Sequence, residues 1–289
     1  MRLRVIALLL SLALPVALPG LVMAQAVAIS VEIAPPPLPV YEQPPIPAPG
    51  YMWMPGYWAW GPAGYFWVPG TWVMPPAVGL LWTPGWWGWA DGHYLWHAGY
   101  WGPHIGFYGG VVYGFGYDGV GFDGCFWDHG VVRYNRAANN FGGVHITNVY
   151  NRTTVRNVTV TRVSYNGGRG GTTARATAQQ QAAAQERHAA PTALQIRHER
   201  GASSNRALLA SENHGQPPIA ATPKPGAFGG TGAARTRGAQ SAQAPQVSPA
   251  PGPNAAPRHE GGSGRDEHRD QGGFPPADFG GGGPGGHGR

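Results

Sequence analysis

The chain is 289 residues long and contains 47 Gly and 30 Pro residues, whereas only 12% of its residues are charged. This composition is typical of low-complexity chains, and the confinement of all 12 Trp to residues 53–127 excludes a large enzyme domain with a single core. The formal net charge of +6 is unevenly distributed: residues 27–128 carry six acidic and no basic side chains, while residues 129–289 carry 18 of the 20 basic ones. The asymmetry suggests that the basic part is an interaction tail.

The N-terminus has the three parts of a secretory signal peptide. Two arginines precede an apolar run over residues 5–14, and the small residues Ala24 and Ala26 provide cleavage sites. An uncleaved anchor helix is the alternative, but the run is well short of the ~20 apolar residues that span a bilayer. We therefore predict a signal peptide over residues 1–26, export of the mature chain, and no transmembrane helix after the signal peptide.

Residues 27–50 contain eight of the prolines. Such a segment favours the extended polyproline II conformation, which forms no internal hydrogen bonds and acts as a semi-rigid spacer. The sequence therefore predicts a Pro-rich linker over residues 27–50 that separates the module that follows from the processed N-terminus.

The segment from Tyr51 to Trp101 repeats the pattern Trp-x-x-Gly-x-Trp four times. Successive copies begin 14, 15 and 14 residues apart, a regularity that indicates an internal repeat. The eight tryptophans of the pattern are candidates for aromatic packing or for contact with a ligand: Trp53, Trp58, Trp67, Trp72, Trp82, Trp87, Trp96 and Trp101.

This pattern resembles the repeat of the bacterial YXWGXW (WXXGXW) repeat-containing proteins, a set of exported and mostly proteobacterial proteins. The resemblance covers residues 51–101. The third copy departs from the pattern with Leu80 in place of Tyr, and the fourth has Ala98 where the others have Pro before the Gly. The resemblance implies export to the cell envelope and no activity that could be assigned to a residue.

The repeat module is expected to be built of β-strands, because aromatic residues favour strands and two short segments favour tight turns. These segments are Gly61–Gly64 and Ala90–His93. Turns there would pair Trp58 with Trp67 and produce a four-stranded antiparallel meander. At each Pro-Gly, a bulge that lets the strand continue is favoured over a two-residue hairpin turn, because L-Pro-Gly forms a turn whose twist suits hairpins poorly.

A sheet this rich in tryptophan lacks a polar face. Between Gln43 and Tyr117 the only charged residue is Asp91, and large exposed apolar patches usually mark contact sites. The sheet is therefore expected to be covered by the segment that follows it, to self-associate, or to present rows of Trp side chains that stack on sugar rings.

Residues 102–171 begin rich in Gly and aromatic residues and become rich in Val and Thr, which predicts a strand-rich extension with strands at Val144–Tyr150 and Thr153–Tyr165. Cys125 is the only cysteine, so the chain cannot form an internal disulfide. Cys125 is therefore a candidate thiol for an intermolecular bridge or a small buried residue, and we favour the second.

Residues 172–289 contain three aromatic and six large aliphatic residues among 118. Burial of so few side chains cannot offset the ~1–2 kcal/mol per residue that backbone ordering costs. We therefore predict a disordered, basic, low-complexity tail whose arginines either contact anionic envelope polysaccharides or lipid head groups or serve only to keep the chain soluble. Nucleic acid is not an expected partner, because export separates the chain from it.

No pattern indicates a catalytic, cofactor or metal site. The glycine pattern that begins at Gly114 matches a dinucleotide-binding loop but does not follow a strand and open a helix. The Asp residues at five-residue spacing from Asp118 are explained by Asp-Gly turns. His93 and His97 lack further ligands at metal-binding spacing.

The expected fold is all-β: a small antiparallel Trp-rich meander with a strand-rich Gly/aromatic extension, flanked by disordered segments. The expected function is that of a non-enzymatic, exported structural or interaction protein of the cell envelope, periplasmic or in the outer envelope of a Gram-negative bacterium, or extracellular. The alternative is a module that binds glycan or peptidoglycan through its Trp rows. Self-association is also expected.

Overall fold

A computed structural model describes residues 29–153 and 162–237. The predicted signal peptide (1–26) and the last part of the predicted tail (238–289) lie outside these residues, as does most of the predicted strand Thr153–Tyr165.

The described residues form mostly short strands in several small sheets, with few helices. The strands β1 to β14 are, in chain order, Ser30–Val31, Met52–Met54, Tyr57–Gly61, Gly64–Val68, Gly70–Val73, Leu81–Thr83, Trp86–Ala90, His93–His97, Tyr100–Gly102, Cys125–Asp128, Val131–Asn135, Val149–Tyr150, Tyr165–Asn166 and Ala221–Thr222. The helices α1 to α3 are Ala178–Ala183, Ala193–Ser203 and Ala210–Asn213, with a 3₁₀ turn at Arg206–Leu208. The predicted all-β class is confirmed.

The repeat forms two long hairpins. The first hairpin comprises β2 to β5, in which Trp53 pairs with Trp72 and Trp58 with Trp67. The second hairpin comprises β6 to β9 and has the same arrangement, with Trp87 opposite Trp96. Both turns lie at the predicted positions, so the cross-strand pairs expected on either side of them are confirmed.

Each hairpin is interrupted at its Pro-Gly positions on both strands at the same level. In the first hairpin the ladder stops at Met54 and resumes at Tyr57, while on the facing strand it stops at Val68 and resumes at Thr71. The register is unchanged across the interruption, so neither strand holds an extra residue. The predicted alternative of a two-residue hairpin turn at Pro-Gly is therefore wrong. The favoured alternative is correct in that the strand continues through Pro-Gly, but it does so without a bulge on one strand.

The predicted four-stranded meander is wrong, because the two hairpins do not share a sheet. β14 lies along the free edge of β5, while β1 and β13 flank β8 and β7. With these edges occupied, the hairpins contact each other through side chains instead. The Trp87 indole donates to the Trp58 carbonyl at 2.8 Å, and the Tyr65 and Trp87 rings meet edge to face.

The predicted spacer over residues 27–50 is also wrong for its described part, which packs around the first hairpin. Ile46 is only 1% exposed. The Trp58 and Trp72 indoles donate to the carbonyls of Pro37 and Pro44 at 3.2 and 2.8 Å. An extended Pro-rich backbone leaves its carbonyls unused, so it can satisfy the polar ends of buried indoles along its length.

The prediction of a disordered tail is wrong over residues 172–237. Helix α2 packs on β4, and its Gln195 accepts a hydrogen bond from the Trp101 indole at 2.8 Å. Further along, the Ala220 carbonyl accepts from the Trp67 indole at 2.9 Å. The tail has few apolar residues of its own, but the hairpins supply the core on which small residues such as Ala202 pack.

The extension after the repeat is less regular than predicted. β10, β11 and β12 form a three-stranded sheet, but the strand predicted over Val144–Tyr150 is reduced to Val149–Tyr150. The Gly/aromatic loop before them packs inward: Tyr108 and Tyr117 are buried, and the Tyr117 hydroxyl donates to the Trp82 carbonyl at 2.7 Å. The extension therefore covers the hairpins, which is one of the three arrangements expected from the sequence for this apolar sheet.

Candidate functional site

The repeat tryptophans form the core of the molecule. Seven of the eight are at most 5% exposed, and Trp96 is half-buried. Across each hairpin they meet in pairs, with ring centroids 5.2 Å apart for Trp53–Trp72 and Trp58–Trp67. Such pairs add ~0.5–1.5 kcal/mol beyond the area they bury. The tryptophans are thus packing residues, and their burial argues against rows of Trp side chains that stack on a glycan.

The glycine of the motif is required by the tryptophan of the facing copy. A Cβ added to Gly70 would lie 2.6 Å from Cζ2 of Trp53 and 3.0 Å from the Gly56 nitrogen. A Cβ added to Gly56 would in turn collide with the Trp67 indole. The first Trp of each copy therefore lies over the Gly of the other copy, which explains why two copies are needed to build one hairpin.

The second hairpin has the same packing of two indoles over two glycines, here called a crossing, with different neighbours. A Cβ on Gly99 would lie 2.6 Å from Cζ2 of Trp82, and a Cβ on Gly85 would collide with the Trp96 indole. Trp-x-x-Gly-x-Trp is therefore the sequence signature of a crossing in which two indoles cover two glycines.

An open cavity lies beside the crossing of the first hairpin. It has a volume of ≈ 160 Å³, and Gly56 and Trp67 form its floor. Its walls come from the Pro-rich segment, with Tyr41, and from the Gly/aromatic loop, with Tyr113 and Phe115. Tyr41 and Phe115 are half-buried, with centroids 5.3 Å apart, so their rings face the cavity from a position that solvent also reaches.

Two polar groups border this apolar cavity. The Tyr41 hydroxyl accepts a hydrogen bond from the Gly56 N–H at 3.4 Å, and burial raises the pKa of Tyr41 so that the hydroxyl keeps its proton. Arg162 is the only charged residue that lines the cavity among the described residues. Its Nε donates to the Leu38 carbonyl at 2.7 Å, and the Leu38 N–H donates to the Arg162 carbonyl at 2.7 Å. The first bond orients the guanidinium, and the second fixes the backbone that carries it.

The equivalent position of the second hairpin is nearly filled. The space beside Gly85 and Trp96 is only ≈ 60 Å³. There the Tyr57 ring stacks on Trp96 with centroids 5.2 Å apart and planes 18° from parallel, and its hydroxyl donates to the Glu199 carboxylate at 3.0 Å. One crossing is therefore closed by an internal ring and a carboxylate, and the other is open.

Tyr41, Phe115 and Arg162 are not among the residues predicted from the sequence to form a site. Tyr41 carried a signal, because it is the only aromatic residue between residues 27 and 50. Arg162 carried none, since more than 100 residues separate it from the segment that it contacts.

The remaining candidates lie elsewhere. Cys125 is 5% exposed, and burial raises the pKa of its thiol to about 12, which argues against an intermolecular bridge and fits the favoured buried residue. His97 stacks on Trp86, and burial lowers its pKa. Asp118 accepts from two backbone N–H groups of its own turn. Within residues 29–153 and 162–237, no group of three or more His, Cys, Asp or Glu side chains could hold a metal ion.

The hairpins coincide with a known sequence family. The WXXGXW repeat model matches twice, over residues 49–73 and 78–101. Each match spans one whole hairpin, so the family unit contains two copies of the Trp-x-x-Gly-x-Trp pattern and both halves of one crossing. No curated protein and no solved structure matches the chain. The chain therefore contains two copies of the WXXGXW repeat, one in each hairpin.

Proposed function

We propose that the protein is a non-enzymatic, exported component of the cell envelope that binds anionic envelope surfaces through the outside of its aromatic body. The N-terminal signal pattern and the resemblance to exported repeat proteins support export. The function itself rests on how charge and aromatic side chains are distributed in the fold.

The observation that carries the proposal is the exposure of the basic residues. All thirteen Arg and Lys side chains of the described residues are exposed, whereas the tryptophans that dominate the repeat are inside. Several of the nine acidic residues are half-buried or paired, as Asp128 is with Arg133 at 2.5 Å. The surface is therefore cationic and suits polyanions such as acidic polysaccharides and lipid head groups.

Helix α2 combines exposed apolar and basic side chains on this surface. Its inner side packs on β4, while Leu194 and Ile196 are 50% and 39% exposed next to Arg197 and Arg200. Exposed apolar side chains among arginines can add contact area to an electrostatic attraction. Among the described residues, no helix is long and apolar enough to cross a membrane.

The experiment is co-sedimentation of the purified mature protein with isolated Gram-negative envelopes at low and at high salt. We expect binding that high salt weakens, and a marked loss of binding in Arg197→Gln/Arg200→Gln. The matched control is Arg206→Gln/Arg237→Gln, because these arginines already pair with Glu212 and Glu42.

Fractionation with cross-linking in the native cell tests the location. Recovery of the protein in the cytoplasm would refute export. Equal binding by both double variants, or binding that salt does not change, would refute the cationic surface as the contact.

A further inference from the structure

The cavity beside Gly56 has the size of a single ring. A cavity of about 150 Å³ with apolar walls is large enough to hold benzene, and this one measures ≈ 160 Å³. It is too small for a drug-sized ligand or for several residues of a peptide. An occupant would therefore be one six-membered ring, either free or as one unit of a polymer.

The walls suit a ring with an apolar face. Tyr41 and Phe115 are half-buried side by side, and Trp67 lies below them with its centroid 6.4 Å from that of Tyr41. Aromatic platforms of this kind pack against the C–H faces of sugar rings, while a hydroxyl such as that of Tyr41 meets a ring oxygen or hydroxyl group.

The second hairpin shows what fills the same place when the chain closes it. Trp96, the equivalent of Trp67, is covered by the stacked Tyr57 ring, and the Tyr57 hydroxyl donates a hydrogen bond to the Glu199 carboxylate. Around Trp67 the neighbouring Tyr41 meets the indole only edge-on, at 69°. Within the described part of the chain, the first hairpin has no internal ring stacked in this place, and because Trp67 itself is fully buried, a ring bound in the cavity would pack on Tyr41 and Phe115.

The rim adds a charge requirement. Among the described residues, Arg162 is the only charged one that lines the cavity, and it forms no ion pair with a described carboxylate. Its Nε donates to the Leu38 carbonyl, which orients the guanidinium at an exposed position of the cavity lining. A guanidinium held in this way favours a carboxylate by charge-assisted hydrogen bonds.

We propose that the cavity formed by Tyr41, Phe115, Trp67 and Arg162 binds one acidic sugar residue, a pyranose ring that carries a carboxylate. The ring packs on the aromatic walls and the carboxylate meets Arg162. The inference rests on the proposed function for the source of the ligand, an acidic polysaccharide of the envelope, and it gives the general cationic contact one defined site.

The test is titration calorimetry of the mature protein with glucuronate and, as the neutral counterpart, glucose. We expect glucuronate to bind and glucose to bind at least about 10-fold more weakly, the factor of one charge-assisted hydrogen bond. Arg162→Gln is expected to remove this preference by weakening glucuronate alone.

A second variant keeps the test independent of the Leu38 contact. Val40 lines the cavity and is 43% exposed, so Val40→Trp fills the cavity without entering the core. It is expected to abolish binding of both sugars. Val78→Trp, at a position that is 68% exposed and does not line this cavity, is the matched control and is expected to bind as the unmodified protein does.

Three results would overturn the site: equal affinity for the two sugars, unchanged binding in Val40→Trp, or tighter binding of a hexaproline peptide than of glucuronate. None of them touches the proposed function, which depends on Arg197 and Arg200. Conversely, loss of envelope binding only in Arg197→Gln/Arg200→Gln would leave the sugar titration unaffected. The two proposals can therefore fail separately.

Discussion

In both hairpins the first Trp of one motif lies over the Gly of the other, yet Trp67 of the first hairpin is fully buried while its equivalent Trp96 in the second is half-buried. The hairpin tips differ in the same sense, since Trp60 is half-buried and Trp89 is 39% exposed. The two hairpins therefore share the crossing, but their equivalent Trp side chains are buried to different degrees.

The repeat and the segments that flank it have different roles in the two hairpins. The repeat determines the crossing, because steric fit between indole and glycine involves only residues of the motif. The flanks determine burial: the first hairpin receives carbonyls from Pro37, Pro44 and Ala220, each bound to a different indole. At the second, β1 and β13 pair with the backbone of β8 and β7.

The largest expected effect comes from filling the crossing in either hairpin. Gly70→Ala and Gly99→Ala each place a Cβ 2.6 Å from an indole and no more than 3.0 Å from backbone atoms that cannot move aside. Because overpacking against backbone is poorly relieved, we expect each substitution to lower the free energy of unfolding by about 3 kcal/mol or more. Urea unfolding followed by Trp fluorescence measures the loss.

The control for both is Gly143→Ala, where an added Cβ meets nothing within 4 Å and the backbone is not in the left-handed region. It is expected to change stability by well under 1 kcal/mol. If Gly70→Ala were severe and Gly99→Ala mild, the crossing would not be equivalent in the two hairpins.

A smaller effect, confined to the covering of the first hairpin, comes from His198 of α2. This side chain is fully buried; its Nδ1 accepts from the Gly226 N–H at 2.9 Å, so its Nε2 carries the proton and donates to the Pro69 carbonyl at 2.8 Å. Burial lowers the pKa of His198 to about 4. Protonation would place a hydrogen on Nδ1, which would then face the Gly226 N–H donor instead of accepting from it.

The lowered pKa of His198 determines the direction in which stability changes with pH. Between pH ~6.5 and ~4 the unfolded chain binds a proton at His198 that the folded chain does not. The free energy of unfolding therefore decreases by roughly 3 kcal/mol as the pH is lowered through this window, and this group does not change it above pH ~6.5. His198→Gln is expected to flatten that part of the profile of unfolding free energy against pH. His145→Gln, at an exposed position, is expected to leave it unchanged.

Part of this architecture could be predicted from the sequence. Turn residues and copy spacing were enough to place Trp58 opposite Trp67, and the same arithmetic sets Pro55-Gly56 opposite Pro69-Gly70, although the meaning of that pairing depends on three-dimensional packing. The flanks left no comparable pattern. The Pro44 carbonyl and the small Ala202 side chain are decisive in the fold, but neither hydrophobic periodicity nor composition marks them.

The cavity was beyond prediction for the same reason. Its aromatic floor belongs to the repeat, but its walls come from the predicted spacer and its charge from Arg162, a residue assigned to a strand-rich region with no known neighbour. Long-range contacts between segments that lack patterns of their own require the structure.

A pair of facing tryptophans separates packing from hydrogen bonding in the first hairpin. Trp53 and Trp72 are buried to the same degree, but the Trp72 indole donates to Pro44 at 2.8 Å, while the Trp53 indole nitrogen has no partner among the described residues. Trp72→Phe leaves a carbonyl unsatisfied, whereas Trp53→Phe removes a donor that is already unsatisfied. We expect Trp72→Phe to cost about 1–2 kcal/mol more in urea unfolding. Equal costs would mean that the carbonyls of the Pro-rich segment do not stabilise the fold.

The smallest change in stability is expected at Ala98, where the second hairpin lacks the proline that precedes the glycine in the other three copies of the motif. Ala98 of the second hairpin occupies the place of Pro69 in the first, next to the glycine and after the end of β8. Proline there would restrict the unfolded chain, and the residue before it already lies in an extended strand, which the residue preceding a proline prefers. Ala98→Pro is therefore expected to raise the free energy of unfolding by about 0.4–1 kcal/mol. A loss of stability instead would show that the backbone at Ala98 departs from that at Pro69, and that the weaker covering of the second hairpin begins at the crossing.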